Sequence, residues 1–199
     1  IMKRLENTTF DSAVDGGFTP VPAGTYPAHV SEVVINTFED SGKSVYNLSF
    51  KVADEVKNLE VPKLSSDGNG GYVEDTDSDG NTVTVSAEFI AGKTFRLDKG
   101  MWLTPNPEQG KGWQNKTYVK YCQSLGVQFP ETEDGKLQLA EIEDADILGH
   151  PCFIKVEEVA WENKKTGDSG KSVKAVDITA WQEGSKLSAD ELSSDDLPF

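Results

Sequence analysis

The chain has 199 residues, enough for one domain with insertions or two small ones. No apolar run approaches the roughly 20 residues of a membrane span. Cys122 and Cys152 are too few for a disulfide scaffold and suit a reducing cytoplasm, and the formal net charge of -15 excludes a uniformly basic surface.

Met2 reads as the start, with Ile1 added ahead of it and no signal peptide after it. Residues 1–19 read as an arm of weak periodicity. Gly16, Gly17, Pro20 and Pro22 mark a loop, and Pro22-Ala23-Gly24-Thr25-Tyr26-Pro27 leads into a long strand over about 26–38. Its apolar residues Val30, Val33, Val34 and Ile35 change phase midway, which predicts a β-bulge. Asp40-Ser41-Gly42-Lys43 is turn chemistry. Residues 44–53 alternate, with Tyr46, Leu48, Phe50 and Val52 on one face and Val45, Asn47, Ser49 and Lys51 on the other. Residues 57–81, rich in Gly, Ser, Asp and Asn, read as an exposed excursion. Residues 82–90 alternate again through Val83, Val85, Ala87 and Phe89, and Gly92 turns the chain into a strand over 94–103.

From Trp113 to Leu125 the period becomes 3.6. Tyr118, Tyr121, Cys122 and Leu125 share a stripe, and Gly126 is placed to cap the helix. Residues 131–146 are an acidic loop with a helical turn. His150–Trp161 and Ser172–Trp181 are two strands joined by a polar hairpin loop. In the first of them Cys152, Ile154, Val156 and Ala160 face the interior, while Phe153, Lys155, Glu157, Val159 and Trp161 face out. Six short strands with one helix before the final hairpin predict a mainly β chain. The expected form is an OB-fold-like small closed barrel over 20–182, with one inserted helix and acidic loop insertions, and a flexible acidic tail over 183–199.

The acid is unevenly spread. Residues 54–88 hold nine acids and two bases, residues 131–149 seven and one, and residues 183–199 five and one. Residues 89–130 instead hold six bases and two acids, and binding answers to local potential more than to net charge. A basic groove with interleaved aromatic faces is what sequence-tolerant binding of single-stranded DNA requires. The residues that fit are Lys51, then Arg96, Lys99 and Trp102, then Lys111, Trp113 and Lys116. The final hairpin adds Lys155, Trp161, Lys164, Lys165, Lys171 and Lys174. A single tryptophan is more often core cover than a platform, so only these residues taken together point to strand binding. The rival class is a non-enzymatic acidic interaction protein, a DNA mimic or a virion component, resting on the net charge.

Asp75-Thr76-Asp77-Ser78-Asp79-Gly80-Asn81 begins like a calcium loop, but position twelve is Ser86 where a bidentate Glu is needed. A calcium-dependent β-sandwich is therefore the weaker reading, and no metal or cofactor is expected. His29 and His150, with the two cysteines, lack the close pair spacing of zinc ligands. No nucleophile elbow or phosphate loop is present, so the chain reads as non-enzymatic.

The chain ends Asp195-Asp196-Leu197-Pro198-Phe199. This resembles the acidic C-terminal tip of bacterial and phage single-stranded DNA-binding proteins, with Leu197 where isoleucine is common. Pro22 to Tyr26, Leu125-Gly126 and Asp146-Ile147-Leu148-Gly149 are similar to the turns and caps of a family of phage early proteins of about this length. The resemblance implies a single-stranded DNA-binding protein of phage replication or recombination, acting in the cytoplasm of a bacterial host. It also implies that Asp195 to Phe199 recruit replication or recombination proteins. No membrane partner is expected, and homo-oligomerisation is left open.

Overall fold

The computed structural model describes residues 19–182. Most of the N-terminal arm, and the segment 183–199 with Asp195, Asp196, Leu197, Pro198 and Phe199, lie outside the described residues.

The body is an antiparallel sheet built on a hairpin of β1 (Gly24–Phe38) and β2 (Lys43–Val52). The alternation of β2 decides what is inside: Tyr46, Leu48, Phe50 and Val52 are buried. The phase change in β1 is a bulge at Ser31, where the register with β2 slips between Val30 and Glu32. Before it Tyr26, Ala28 and Val30 enter the core; beyond it Val34, Ile35 and Phe38 are exposed. β9 (Pro151–Glu162) pairs with the first half of β1, and β10 (Ser169–Ala180) pairs with β9. Cys152, Ile154 and Val156 face inward as expected, but Ala160 is exposed because the β9–β10 hairpin runs on past the core.

The strand expected over 94–103 is two strands, β7 (Thr94–Arg96) and β8 (Met101–Leu103), both paired to β2. Gly100, at φ 64°, makes the break. The strand expected over 82–90 shortens to Thr84–Ser86, because the Ser86 hydroxyl accepts from the Glu88 N–H and starts a 3-10 turn over Ala87–Ile90. That strand and three others form the excursion: β3 (Glu60–Pro62), β4 (Leu64–Ser66), β5 (Tyr72–Glu74) and β6 (Thr84–Ser86), in two small two-stranded sheets.

The order across the main sheet is β10-β9-β1-β2-β7, with β8 further along β2. Its two ends meet at one isolated parallel bridge, Leu97 with Ala175, where the Asp98 N–H donates to the Ala175 carbonyl at 2.9 Å. The ladders therefore form an open path, and no unbroken ring of them makes the barrel that the strand order anticipates.

Helix α1 (Lys116–Ser124) packs against β8 and β10. Its Tyr118 and Cys122 are fully buried. It stops where the sequence asks: the Gly126 N–H bonds Gln123 O and the Val127 N–H bonds Cys122 O, with Gly126 at φ 80°. Asn115 pins its start, donating to Thr104 O (2.8 Å) and accepting from Thr104 N–H (2.7 Å). Lys120 reaches Asp177 at 2.8 Å, beside a second bulge in β10. No helix among the described residues is long and apolar enough to cross a membrane.

Burial pushes the Cys122 and Cys152 thiols up to about 12 and raises the Tyr26, Tyr118 and Tyr121 phenols. A raised acid is held protonated by the fold. Its contribution is complete below the unfolded pKa and is lost as pH rises through the folded one. Stability from these groups should hold to about pH 9, the ordinary thiol value, and fall from there towards pH 12. Urea midpoints measured from pH 7 to pH 11 check this, and a constant midpoint would contradict it.

Candidate nucleic-acid interface

On β2 the residues not facing the core are Lys43, Val45, Asn47, Ser49 and Lys51. Their register partners share that outer face. From β1 these are Phe38, Asn36, Val34, Glu32 and His29; from β7 and β8 they are Thr94, Arg96 and Trp102. Lys51 stands eight positions on from Lys43, so the face is roughly 26 Å long at about 3.3 Å per residue.

At one end the rings of Phe38 and Trp102 stack, with centroids 5.7 Å apart and planes 16° apart. They are 47% and 45% exposed, while Val45 between the strands is only 7% exposed. The Trp102 indole N–H donates to Lys99 O at 3.2 Å, which holds the ring over the β7–β8 turn. Exposed, stacked aromatics on a strand face leave π-surface for a further ring. Lys51, Arg96 and Lys99 make no ion pair with any described residue. The acid on this face is Glu32 at the bulge, which accepts from the Ser49 hydroxyl at 3.1 Å.

The other expected residues lie in two further places. Lys111, Trp113 and Lys116 stand before or at the start of α1. Trp113, 71% exposed, and Lys116 line a groove of about 690 Å³ between the helix and Thr179-Ala180. No residue of β1 or β2 lines it, and Lys111 pairs with Glu108 at 2.6 Å. The β9–β10 hairpin carries the remainder, and much of its positive charge is matched. Lys155 pairs with Glu157 and Lys171 with Glu158, each at 2.7 Å, and Lys174 pairs with Asp98 at 3.1 Å. The acids raise the Lys155 and Lys171 pKa, first by hydrogen bonding and then by charge. Trp161 lies on Gly170, where an added Cβ would come within 2.9 Å of its ring. Lys164 and Lys165 sit in the exposed hairpin loop. Lys51, Arg96 and Trp102 thus share one face at different points along β2, with Lys99 in the turn beside Trp102; Lys174 reaches Asp98 next to that turn, and the remaining expected residues lie elsewhere.

Sequence reasoning missed Phe38, Lys43, His29 and Trp181. Phe38 had a signal: it is a large apolar residue out of phase after the bulge, just before turn chemistry. Phe153, expected outward, does point outward but is buried under Trp181, with stacked rings 4.9 Å apart.

The Asp75–Asp79 turn is occupied by its own backbone. Asp77 Oδ1 accepts from the Asp79 and Asn81 N–H groups at 2.8 and 2.9 Å, which holds its carboxyl below the usual range. Asp75 is lowered first by its hydrogen bond to Lys63. No group of three His, Cys, Asp or Glu side chains placed for a metal occurs among the described residues. A scan against protein-family models and a search of curated proteins each find no match to this chain.

Proposed function

We propose that this chain binds single-stranded DNA, without general sequence preference, along the outer face of β2. The observation that carries the reading is the Phe38–Trp102 stack at one end of a face edged by Lys51, Arg96 and Lys99, cations that make no ion pair with a described acid. Stacking platforms beside a basic track suit a strand with its bases unpaired. The length of the face is in keeping with the roughly 4–16 nucleotides that one OB fold engages. The sheet path β10-β9-β1-β2-β7 and the parallel bridge of Leu97 with Ala175 support an OB-like closure. The role belongs to phage replication or recombination, with the acidic segment 183–199 recruiting protein partners; both parts rest on the resemblance. The chain carries out no reaction of its own on this reading.

Titrating tryptophan fluorescence with oligo-dT at low salt tests it; absence of both quenching and a gel shift would end it. The alternative, an acidic interaction protein, predicts no retention on DNA-cellulose.

The charge pattern adds an expected result. Each phosphate contact on a single strand contributes about 0.7 to the slope of log affinity against log salt. Replacing Lys51, Arg96 and Lys99 together by alanine should flatten that slope by about 2. Replacing Lys155, Lys171 and Lys174 should change it much less, because their charges are already matched by Glu157, Glu158 and Asp98. The reverse ranking would move the interface to the β9–β10 hairpin.

A further inference from the structure

At the Lys51 end of the same face the sheet opens into a recess of about 570 Å³, within the usual range of small-ligand pockets. His29, Lys51, Asp54, Glu55, Gly149 and Trp181 are among its lining residues. Trp181 is held by Phe153, with centroids 4.9 Å apart and planes 15° apart. One side of its ring is therefore backed, and the other is what it can offer to a guest. Phe153 is almost completely buried, so this aromatic wall is fixed before anything binds. Nothing stands within 4 Å of a Cβ placed on Gly149, and one on Gly92 would meet only Lys51 Cε at 3.9 Å, so glycines leave the floor open. Asp54 and Glu55 are exposed on the 3-10 turn that follows β2, and Asp54 keeps a 3.6 Å contact with Lys57.

We propose that this recess receives one base of the bound strand and favours a base with an exocyclic amine, cytosine or adenine, over thymine. The inference rests on the single-strand reading above. A ring wall, two carboxylates and one cation form a mixed set. Carboxylates repel phosphate, so the backbone belongs at Lys51 and the face beyond it. What remains for the recess is a flat ring that stacks and donates. A carboxylate accepts from the cytosine N4 amine, whereas thymine presents a carbonyl at that position. The strand then reads as sequence-tolerant along the Phe38–Trp102 end and selective at one position near Trp181.

The test uses the full chain with fluorescently labelled oligo-dT and oligo-dC of equal length, titrated by anisotropy at fixed salt. The unaltered protein should bind oligo-dC about five- to tenfold more tightly, in keeping with one good base-edge contact. The variant Asp54→Asn/Glu55→Gln should bind both oligonucleotides more tightly through its lost negative charge, yet with the dC-to-dT ratio falling towards one. Trp181→Phe keeps a ring against Phe153 and should retain most of the ratio. Equal binding of oligo-dC and oligo-dT by the unaltered protein overturns the recess while leaving the β2 face standing, as does a ratio that survives the double substitution. Failure to bind either oligonucleotide overturns the single-strand reading itself.

Discussion

Trp102→Ala should weaken oligo-dT binding by tenfold or more at low salt while the protein stays folded. Stacking of a base on an aromatic side chain is worth about 1–3 kcal/mol, which is roughly 5- to 150-fold. Trp102 is 45% exposed, so its removal costs the core little, and the loss should be read in affinity rather than in melting temperature. Phe38→Ala should act in the same direction, since Phe38 sets the plane against which Trp102 lies. Trp102→Phe keeps a π-face but loses the indole bond to Lys99 O, and should fall between the alanine variant and the unaltered chain. Fluorescence or anisotropy titrations of the three variants check the order. Unchanged affinity for Trp102→Ala, combined with a large loss for Trp113→Ala, would transfer the platform to the groove beside α1.

Gly100→Ala should destabilise the fold by about 2–5 kcal/mol. Two effects add. A left-handed backbone costs an L-residue roughly 1–2 kcal/mol, and Gly100 sits at φ 64°. A Cβ there would also approach Val45 Cγ2 to 2.9 Å and Tyr46 O to 3.1 Å, atoms of a central strand that cannot move aside freely. Overpacking of that kind adds about 1–3 kcal/mol. Gly110→Ala is the control: its φ is 80° but nothing lies within 4 Å of the added atom. Urea unfolding of both variants should separate crowding from backbone strain, with Gly100→Ala the worse. Equal losses would mean that the β7–β8 break relaxes without cost to β2.

Some of this architecture can be read directly from residues. The slip of apolar phase between Val30 and Val33 marks the Ser31 bulge, since a period of two cannot change parity without an extra residue. Leu125-Gly126 marks the end of α1 because a left-handed cap is open to glycine. The division of 94–103 into two strands is hidden for the opposite reason. Phe95, Leu97, Met101 and Leu103 keep the same parity across Asp98-Lys99-Gly100, so alternation runs unbroken over a chain that is not. The candidate face was half legible. Lys51, Arg96 and Trp102 share a face because β2 pairs with both β7 and β8 and strand patterns place them outward, whereas Lys99 stands in the turn and is tied to Trp102 by its backbone oxygen. The silencing of the hairpin lysines was not legible, since Lys174 meets an aspartate 76 residues away and only the folded register brings them together. Trp181 was expected as the last residue of the final strand but lies one residue past it, and its stack on Phe153 is set by the fold alone.

The single bridge between Leu97 and Ala175 gives the sheet a seam. Everywhere else along the path, neighbouring strands are joined by runs of paired residues; here one pair and the Asp98 N–H hold two edges together. Folded proteins open first where the fewest buried contacts and backbone bonds must be given up. The sheet should therefore breathe as a cuff, parting between β7 and β10 while its hairpins stay zipped. Lys174 and Asp98 clasp the seam by charge at 3.1 Å, so salt loosens it. Lys99 and Trp102 follow directly in the chain. A ligand pulling on the outer face of β2 would transmit its strain to that clasp before it disturbed any hairpin.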